Sequence, residues 1–84
     1  MHEVYVLQSE KDGSYYIGEA PDAKKRLIFH NLGRQRYTKA KTPWKIVYTE
    51  KFSSRHEAQL REKEMKGKKS RKYIEWLIHS QIAG

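Results

Sequence analysis

The reading turns on residues 3–18: Glu3-Val4-Tyr5-Val6-Leu7-Gln8, then Ser9-Glu10-Lys11-Asp12-Gly13-Ser14, then Tyr15-Tyr16-Ile17-Gly18. Valine, tyrosine and isoleucine pack well on a pleated surface, so the outer runs read as strands near 3–8 and 15–19. The middle run carries Asp-Gly among small polar residues, which marks a turn. Together they predict a β-hairpin. Tyr5 and Tyr16 come from its two arms, and loop length alone does not fix their register. Should paired residue numbers sum to an odd value, both rings share one face of the sheet. Such tyrosines serve either as core and platform residues or as a phenol pair that bonds a phosphate or an attacking water.

Outward from the hairpin, Pro21-Asp22 opens a helix near 22–32. Proline suits a first turn, and an acid there complements the helix dipole. Ala23, Leu27 and His30 recur at helical spacing, and Gly33 stops the run. Residues 33–43 form a basic loop. A third strand is expected near 44–51, with Trp44, Ile46 and Tyr48 alternating against Lys45, Val47 and Thr49. Ser54-Arg55-His56-Glu57 has the form of a capping box and starts a helix near 54–66, ending near Gly67. Ser70 caps a last helix near 70–81, on which Tyr73, Ile74, Leu77, Ile78 and Gln81 trace one stripe. The expectation is one α+β domain over residues 1–84, in the order β-β-α-β-α-α. No internal repeat, low-complexity tract or interdomain linker is legible.

Composition narrows the chemistry. The 84 residues include no cysteine, which excludes disulfides, cysteine-ligated zinc and thiol catalysis. No apolar run approaches the ~18 residues of a membrane span, and no signal-peptide pattern opens the chain, so a cytoplasmic location is expected. Eighteen Lys and Arg face ten Asp and Glu, for a net charge of +8. The excess is local: residues 21–45 carry eight bases and one acid, and residues 65–84 carry five bases and one acid. Two basic blocks on a small globule point to a polyanion, nucleic acid above all. Arg34, Arg36, Lys39, Lys41, Lys68, Lys69 and Arg71 are the expected phosphate contacts, and Tyr37 is placed to stack on an unpaired base.

Three further placements bear on function. Ala58, Glu62 and Met65 share one helix face, which sets a carboxylate at the edge of the core. A partly desolvated carboxylate is costly unless it is ion-paired or metal-bound. Arg26 and His30 are neighbours at i, i+4 and can present a guanidinium and an imidazole to one phosphate, unless His30 simply packs against the sheet. The four histidines, His2, His30, His56 and His79, show no zinc-ligand spacing. There is no Gly-rich phosphate loop, and no Ser-His-Asp arrangement is legible.

Taken together, these residues resemble the GIY-YIG nuclease domain, and specifically its small stand-alone bacterial members. The first signature corresponds to Glu3-Val4-Tyr5 and the second to Tyr16-Ile17-Gly18. Lys25-Arg26-Leu27 with His30-Asn31 follows as the family's Arg-x-x-x-His segment. Arg36-Tyr37-Thr38, Pro43-Trp44-Lys45-Ile46-Val47-Tyr48, Ala58, Arg61-Glu62, Lys66-Gly67 and Ser70-Arg71-Lys72 are similar to the stand-alone branch. The ordered set runs from about residue 3 to 78.

The resemblance implies a three-stranded antiparallel sheet flanked by helices. It also implies an endonuclease that uses Mg²⁺ or Mn²⁺ to cut structured or damaged DNA rather than RNA. Glu62 would hold the metal. Tyr5 would help deprotonate the attacking water, Tyr16 would position it, Arg26 would stabilise the phosphate, and His30 would assist proton handling. Two positions depart from the pattern. Glu3 stands where the first signature has glycine, and Glu19-Ala20 stands where a hydroxyl residue is usual. A larger repair or recombination protein is a further expected partner. The competing reading is a nucleic-acid-binding module without catalysis on the same scaffold. A structural adaptor for a protein partner has less behind it, since no apolar patch is legible.

Overall fold

The computed structural model describes the backbone of residues 1–83 and side chains through Gln81. It contains β1 (His2–Ser9), β2 (Tyr15–Ala20), α1 (Ala23–Asn31), α2 (Arg36–Lys39), β3 (Trp44–Phe52), α3 (Arg55–Lys68) and α4 (Arg71–Ala83). The strands form one antiparallel sheet in the order β2-β1-β3. The expected α+β class and element order are found, with the single turn of α2 added inside the basic loop. Four residues give too little periodicity for a sequence to announce a helix.

Because β1 is central, both of its faces are covered, and Val4, Tyr5, Val6 and Leu7 are all buried. On one face Val4 and Val6 pack with Tyr48, Ala58, Met65, Ile74 and Leu77, which brings α3 and α4 against the sheet. On the other, Tyr5 and Leu7 pack with Ala20, Ala23 and Trp44, with Tyr16, Leu27 and Ile46 at the margin. Burying both faces explains why β1 reads as a continuous apolar run rather than an alternation.

Three local expectations are corrected. Val6 pairs with Tyr48 while Leu7 pairs with Ile46, so Val47 is an extra residue in β3. Such a bulge resets side-chain parity. Trp44 and Ile46 therefore join the Leu7 cluster, whereas Tyr48 joins Val4 and Val6 across the sheet. Second, α3 runs through Gly67 to Lys68, and its C-cap is Lys69, whose φ of 49° places it in the left-handed region. Third, Pro21 precedes the helix rather than entering it. Asp22 is the N-cap and accepts from the amides of Lys24 and Lys25 at 3.0 and 3.2 Å.

Other caps follow the sequence more closely. Ser54 Oγ accepts from Glu57 N, while the Glu57 carboxylate takes the hydroxyls of Ser53 and Ser54 and not the backbone a full capping box would use. Ser70 Oγ accepts from Tyr73 N and starts α4. Gln81, at the polar end of its stripe, donates to Thr49 O at 2.9 Å. Glu3 is engaged in the fold as well, since its Oε1 accepts from Ala23 N at 3.0 Å and ties the first turn of α1 to the sheet. Under the Tyr48 side of the sheet, Arg61 donates twice to Glu50 at 2.9 Å and once to Glu64, and Tyr48 Oη donates to Glu50. Burial alone would raise the Glu50 carboxyl, but its bonds to Arg61 and Tyr48 outweigh it and hold the group below its usual range.

Tyr5 pairs with Gly18 and Leu7 with Tyr16, so paired numbers sum to an odd value and Tyr5 and Tyr16 share a face. The Tyr5 ring lies across β2 in the space a side chain at 18 would fill. A Cβ there would stand 2.5 Å from Tyr5 Oη and 2.7 Å from Cζ. Gly18→Ala is therefore expected to destabilise the fold by about 1–3 kcal/mol, the cost of overpacking. In a Tyr5→Ala background the same change should cost much less. Denaturant titration of the two single variants and the double variant measures the coupling, and additive effects would disprove the contact.

Candidate active site

The candidate site is built around the Tyr5 phenol, which is buried. Three elements converge on it. From α1, His30 Nε2 lies 3.1 Å from Tyr5 Oη. Arg26, one turn earlier, stacks its guanidinium on Phe29 with Cζ 4.1 Å from the ring centroid. From β2, the Tyr16 ring lies 6.5 Å from that of Tyr5 and 4.9 Å from that of His30. From α3 comes Glu62, held at the core edge by its buried neighbours Ala58 and Met65. The Glu62 side chain keeps 21% of its exposure and pairs with Lys66 Nζ at 3.0 Å.

The five expected residues thus collect at one place. They reach it because β2 is the edge strand and Gly18 leaves room for the Tyr5 ring to cross it. Helices on opposite faces of a sheet can address one point only around its edge.

Electrostatics separates their roles. Burial raises the Tyr5 hydroxyl well above its ordinary value, and the nearby Tyr16 and the charge of Glu62 push the same way, while Arg26 pulls part of it back. His30 is fully buried, and burial first, then Arg26, lowers its pKa to about 4. The ring is therefore neutral near pH 7. Its Nδ1 lies 2.9 Å from Thr38 Oγ1, and Thr38 Oγ1 donates to Gln35 O at 3.4 Å. The assignment that satisfies this chain has Tyr5 donating to Nε2 and Nδ1–H donating to Thr38. His30 thus packs inside and reaches the site only through Tyr5.

Sequence reading missed the groups that orient these side chains. Thr38 fixes His30 from α2. Gln35 Nε2 donates to Tyr16 Oη at 2.9 Å. Asn31 grips the start of β3 by donating to Trp44 O at 3.0 Å and accepting from Trp44 N at 2.6 Å, and Trp44 Nε1 donates to Thr38 O at 2.9 Å. Thr38 and Gln35 come from the short helix and its N-cap, where no period announces a neighbour, while Asn31 ends α1 and Trp44 opens β3. Lys66 had a signal, since it stands four residues after Glu62 on one helix face.

Of the expected phosphate contacts, Arg34, Arg36, Lys39, Lys68 and Lys69 are exposed, and none makes an ion pair among the described residues. Lys41 and Arg71 are engaged. Lys41 Nζ lies 3.8 Å from Asp12 and 5.3 Å from the Tyr37 ring centroid. Arg71 donates to Gly13 O, pairs with Glu75 and covers Tyr15. Tyr37 is 58% exposed. It lines a depression of about 360 Å³ with Tyr15, Tyr16, Ile17 and Lys66. Glu19 faces the α3 side opposite Val4, between His2 and Arg55 at 3.9 and 3.8 Å. Its Oε2 is buried without a hydrogen-bond partner. With Ala20 it lines a depression of about 320 Å³ that also exposes Arg26.

Among the described residues no three His, Cys, Asp or Glu converge as metal ligands. That excludes an all-protein cage. A single hard carboxylate beside a phosphate site is the donor set that Mg²⁺ or Mn²⁺ accepts, with waters and phosphate oxygens completing the shell. Glu62 supplies such a carboxylate, paired with Lys66 and close enough to act on the Tyr5 hydroxyl. Also among the described residues, no helix is long and apolar enough to cross a membrane.

A model of the GIY-YIG catalytic domain matches residues 1–74. A UPF0213 protein of Streptococcus pneumoniae is 42% identical over 79 residues, covering 93% of this chain and 79% of the relative. A UPF0213 protein of Halobacterium salinarum is 42% identical over 67 residues, covering 79% of this chain and 86% of the relative. The solution NMR structure of the UPF0213 protein BH0048 from Bacillus halodurans superimposes with a TM-score of 0.58 at 37% identity. That match covers 93% of this chain and 82% of the other.

Burial of neutral His30 has a consequence for stability. Its pKa is 6.5 when free and about 4 when folded, so between those values the unfolded chain binds a proton that the folded chain does not. Stability is therefore expected to fall as pH drops from about 6.5 towards 4, by up to about 3 kcal/mol. Denaturant midpoints measured across that window should flatten in His30→Gln. An equal slope in wild type and variant would remove His30 as the cause.

Proposed function

The chain belongs to the GIY-YIG catalytic domain family, and on that premise we propose that it is a divalent-metal-dependent endonuclease that hydrolyses phosphodiester bonds in structured or damaged DNA. The observation that carries this reading is the convergence of Tyr5, Tyr16, Arg26, His30 and Glu62 where the Tyr5 ring crosses β2 at Gly18. A binding module has no use for a carboxylate beside a docked phosphate, because the two repel each other unless a cation lies between them.

In this mechanism Arg26 binds the non-bridging oxygens of the scissile phosphate and offsets the charge that grows there. Bound at Glu62, Mg²⁺ or Mn²⁺ would supply further neutralisation of that charge. Tyr16, held by Gln35, positions the attacking water. The water passes its proton to Tyr5 Oη as Tyr5 passes its own to His30 Nε2, along the 3.1 Å contact. This transfer suits a tyrosine whose hydroxyl resists ionisation, since the phenol never carries a full charge. Thr38 keeps Nε2 facing Tyr5 by accepting from Nδ1. Substrate is gathered by the exposed cations of the 33–43 and 66–72 segments, alone or alongside a larger repair or recombination protein.

The test is cleavage of a panel of structured DNAs with Mg²⁺ and with Mn²⁺. Glu62→Ala should abolish metal-dependent cleavage and leave binding unchanged or tighter, because a negative charge leaves the phosphate site. Arg26→Ala should lower turnover roughly a hundredfold or more and weaken binding as well. Metal-dependent cleavage that survives in folded Glu62→Ala would refute the site.

Binding itself should depend steeply on salt. If about four phosphates are neutralised, log affinity should fall against log salt with a slope near −3.6, or roughly −0.9 per phosphate. Affinity that holds steady from low to physiological salt would refute the assignment of the basic segments. Steep binding by a wild type that cuts nothing would favour the non-catalytic module.

A further inference from the structure

Glu62 already holds a cation. Lys66 Nζ lies 3.0 Å from its Oε2, and the two stand at i, i+4 on the face of α3 that borders the Tyr5 cluster. This is the only ion pair of Glu62 among the described residues, and no hydrogen bond to another side chain accompanies it. The same ammonium lies 6.0 Å from the centroid of the Tyr16 ring. Lys66 also lines two adjoining depressions. One is shared with Tyr15, Tyr16, Ile17 and Tyr37, and the other, of about 250 Å³, with Lys69 and Arg71. Its side chain is half exposed, against 21% for Glu62. The carboxylate is therefore fixed at the core edge, while the lysine that covers it is free to leave.

We propose that Lys66 is a tethered cation that occupies the Glu62 carboxylate until nucleic acid arrives, then exchanges from Glu62 to a backbone phosphate and opens the carboxylate to the divalent ion. The proposal rests on the reading of Glu62 as metal ligand. A divalent ion and an ammonium cannot share one carboxylate at contact distance without strong repulsion. Binding the ion therefore means displacing Lys66. The displaced side chain stays on the helix face bordering the Tyr16 depression, where a strand crossing the site offers phosphates. A phosphate that draws Lys66 away lowers the cost of metal entry, and by linkage a bound metal lowers the cost of bringing Lys66 to the phosphate. Divalent ion and nucleic acid then bind cooperatively, and the free protein holds the ion weakly. Lys66 contacts the strand, and it also governs when the metal ligand becomes available.

The readout is Mn²⁺ affinity, followed by electron paramagnetic resonance, for wild type, Lys66→Met, Glu62→Gln and the double variant. Each is measured alone and with a DNA oligonucleotide whose linkages are phosphorothioates throughout, which keep the backbone charge and slow hydrolysis. Methionine keeps the length of the stem and the helix propensity while removing the charge. Without DNA, Lys66→Met should bind Mn²⁺ about two- to fivefold tighter than wild type, the range of an i, i+4 pair with one partly covered partner. DNA should tighten Mn²⁺ binding in wild type and do so markedly less in Lys66→Met. Lys66→Arg should restore the wild-type pattern in both measurements. Unchanged or weaker Mn²⁺ binding by Lys66→Met, with Glu62→Gln having lost the ion, overturns the exchange and leaves Glu62 as the metal ligand. Equal Mn²⁺ binding by Glu62→Gln and wild type overturns both. An equal effect of DNA on Mn²⁺ binding in wild type and Lys66→Met overturns the coupling to nucleic acid.

Discussion

The structure depends on a ring crossing a strand. Tyr5 lies over β2 at the one position without a side chain, and its hydroxyl comes out beside Gly18 at the sheet edge. Any larger residue at 18 would force the phenol away from His30 and Tyr16. The contact is matched to the register that sets Gly18 opposite Tyr5, and His30 of α1 packs against the same phenol. It also fixes the point at which the two helical layers can reach one set of atoms. A single steric fact ties the pairing of β1 with β2 to the position of the Tyr5 hydroxyl.

The two faces of the sheet divide the work. The face carrying α3 and α4 holds most of the apolar core and the Glu50–Arg61 pair, whose bonds are numerous enough to offset desolvation. The opposite face carries fewer aliphatic side chains and a larger share of rings, with Tyr5, Tyr16 and Trp44 packed around His30. Rings with polar tips let a buried layer hold directed hydrogen bonds while excluding water. The line Tyr5–His30–Thr38–Gln35 is such a bond chain, and Asn31 with Trp44 fastens its far end to β3. Preorganisation of this kind is what the proposed proton transfer through Tyr5 requires.

The charge pattern is arranged around that site. Exposed cations flank it on the loop before β3 and at the end of α3, while the acids close to it are each held. Glu62 is covered by Lys66, and Glu19 lies between His2 and Arg55. Glu19 stands out because one oxygen is buried and unbonded in a depression shared with Arg26. Ala20, the next residue, points to the opposite face with Tyr5 and Ala23. The nearest imidazole nitrogen to that oxygen, His2 Nε2 at 3.9 Å, lies beyond hydrogen-bond reach.

The sequence by itself determined the class of fold, the strands and the long helices, because period-2 and period-3.6 patterning are local properties of the chain. It also placed Glu62 at a core edge through Ala58 and Met65, and set Arg26 and His30 one helical turn apart. Only the tertiary structure decided what those groups face. The bulge at Val47 reversed the side of Tyr48, and pairing parity is a property of two strands rather than of one. The role of Gly18 depended on a ring thirteen residues earlier. Thr38 and Gln35 came to the site from a one-turn helix that no periodicity marks. The neutrality of His30 followed from complete burial, and burial is decided by everything packed around a residue, not by the residue itself.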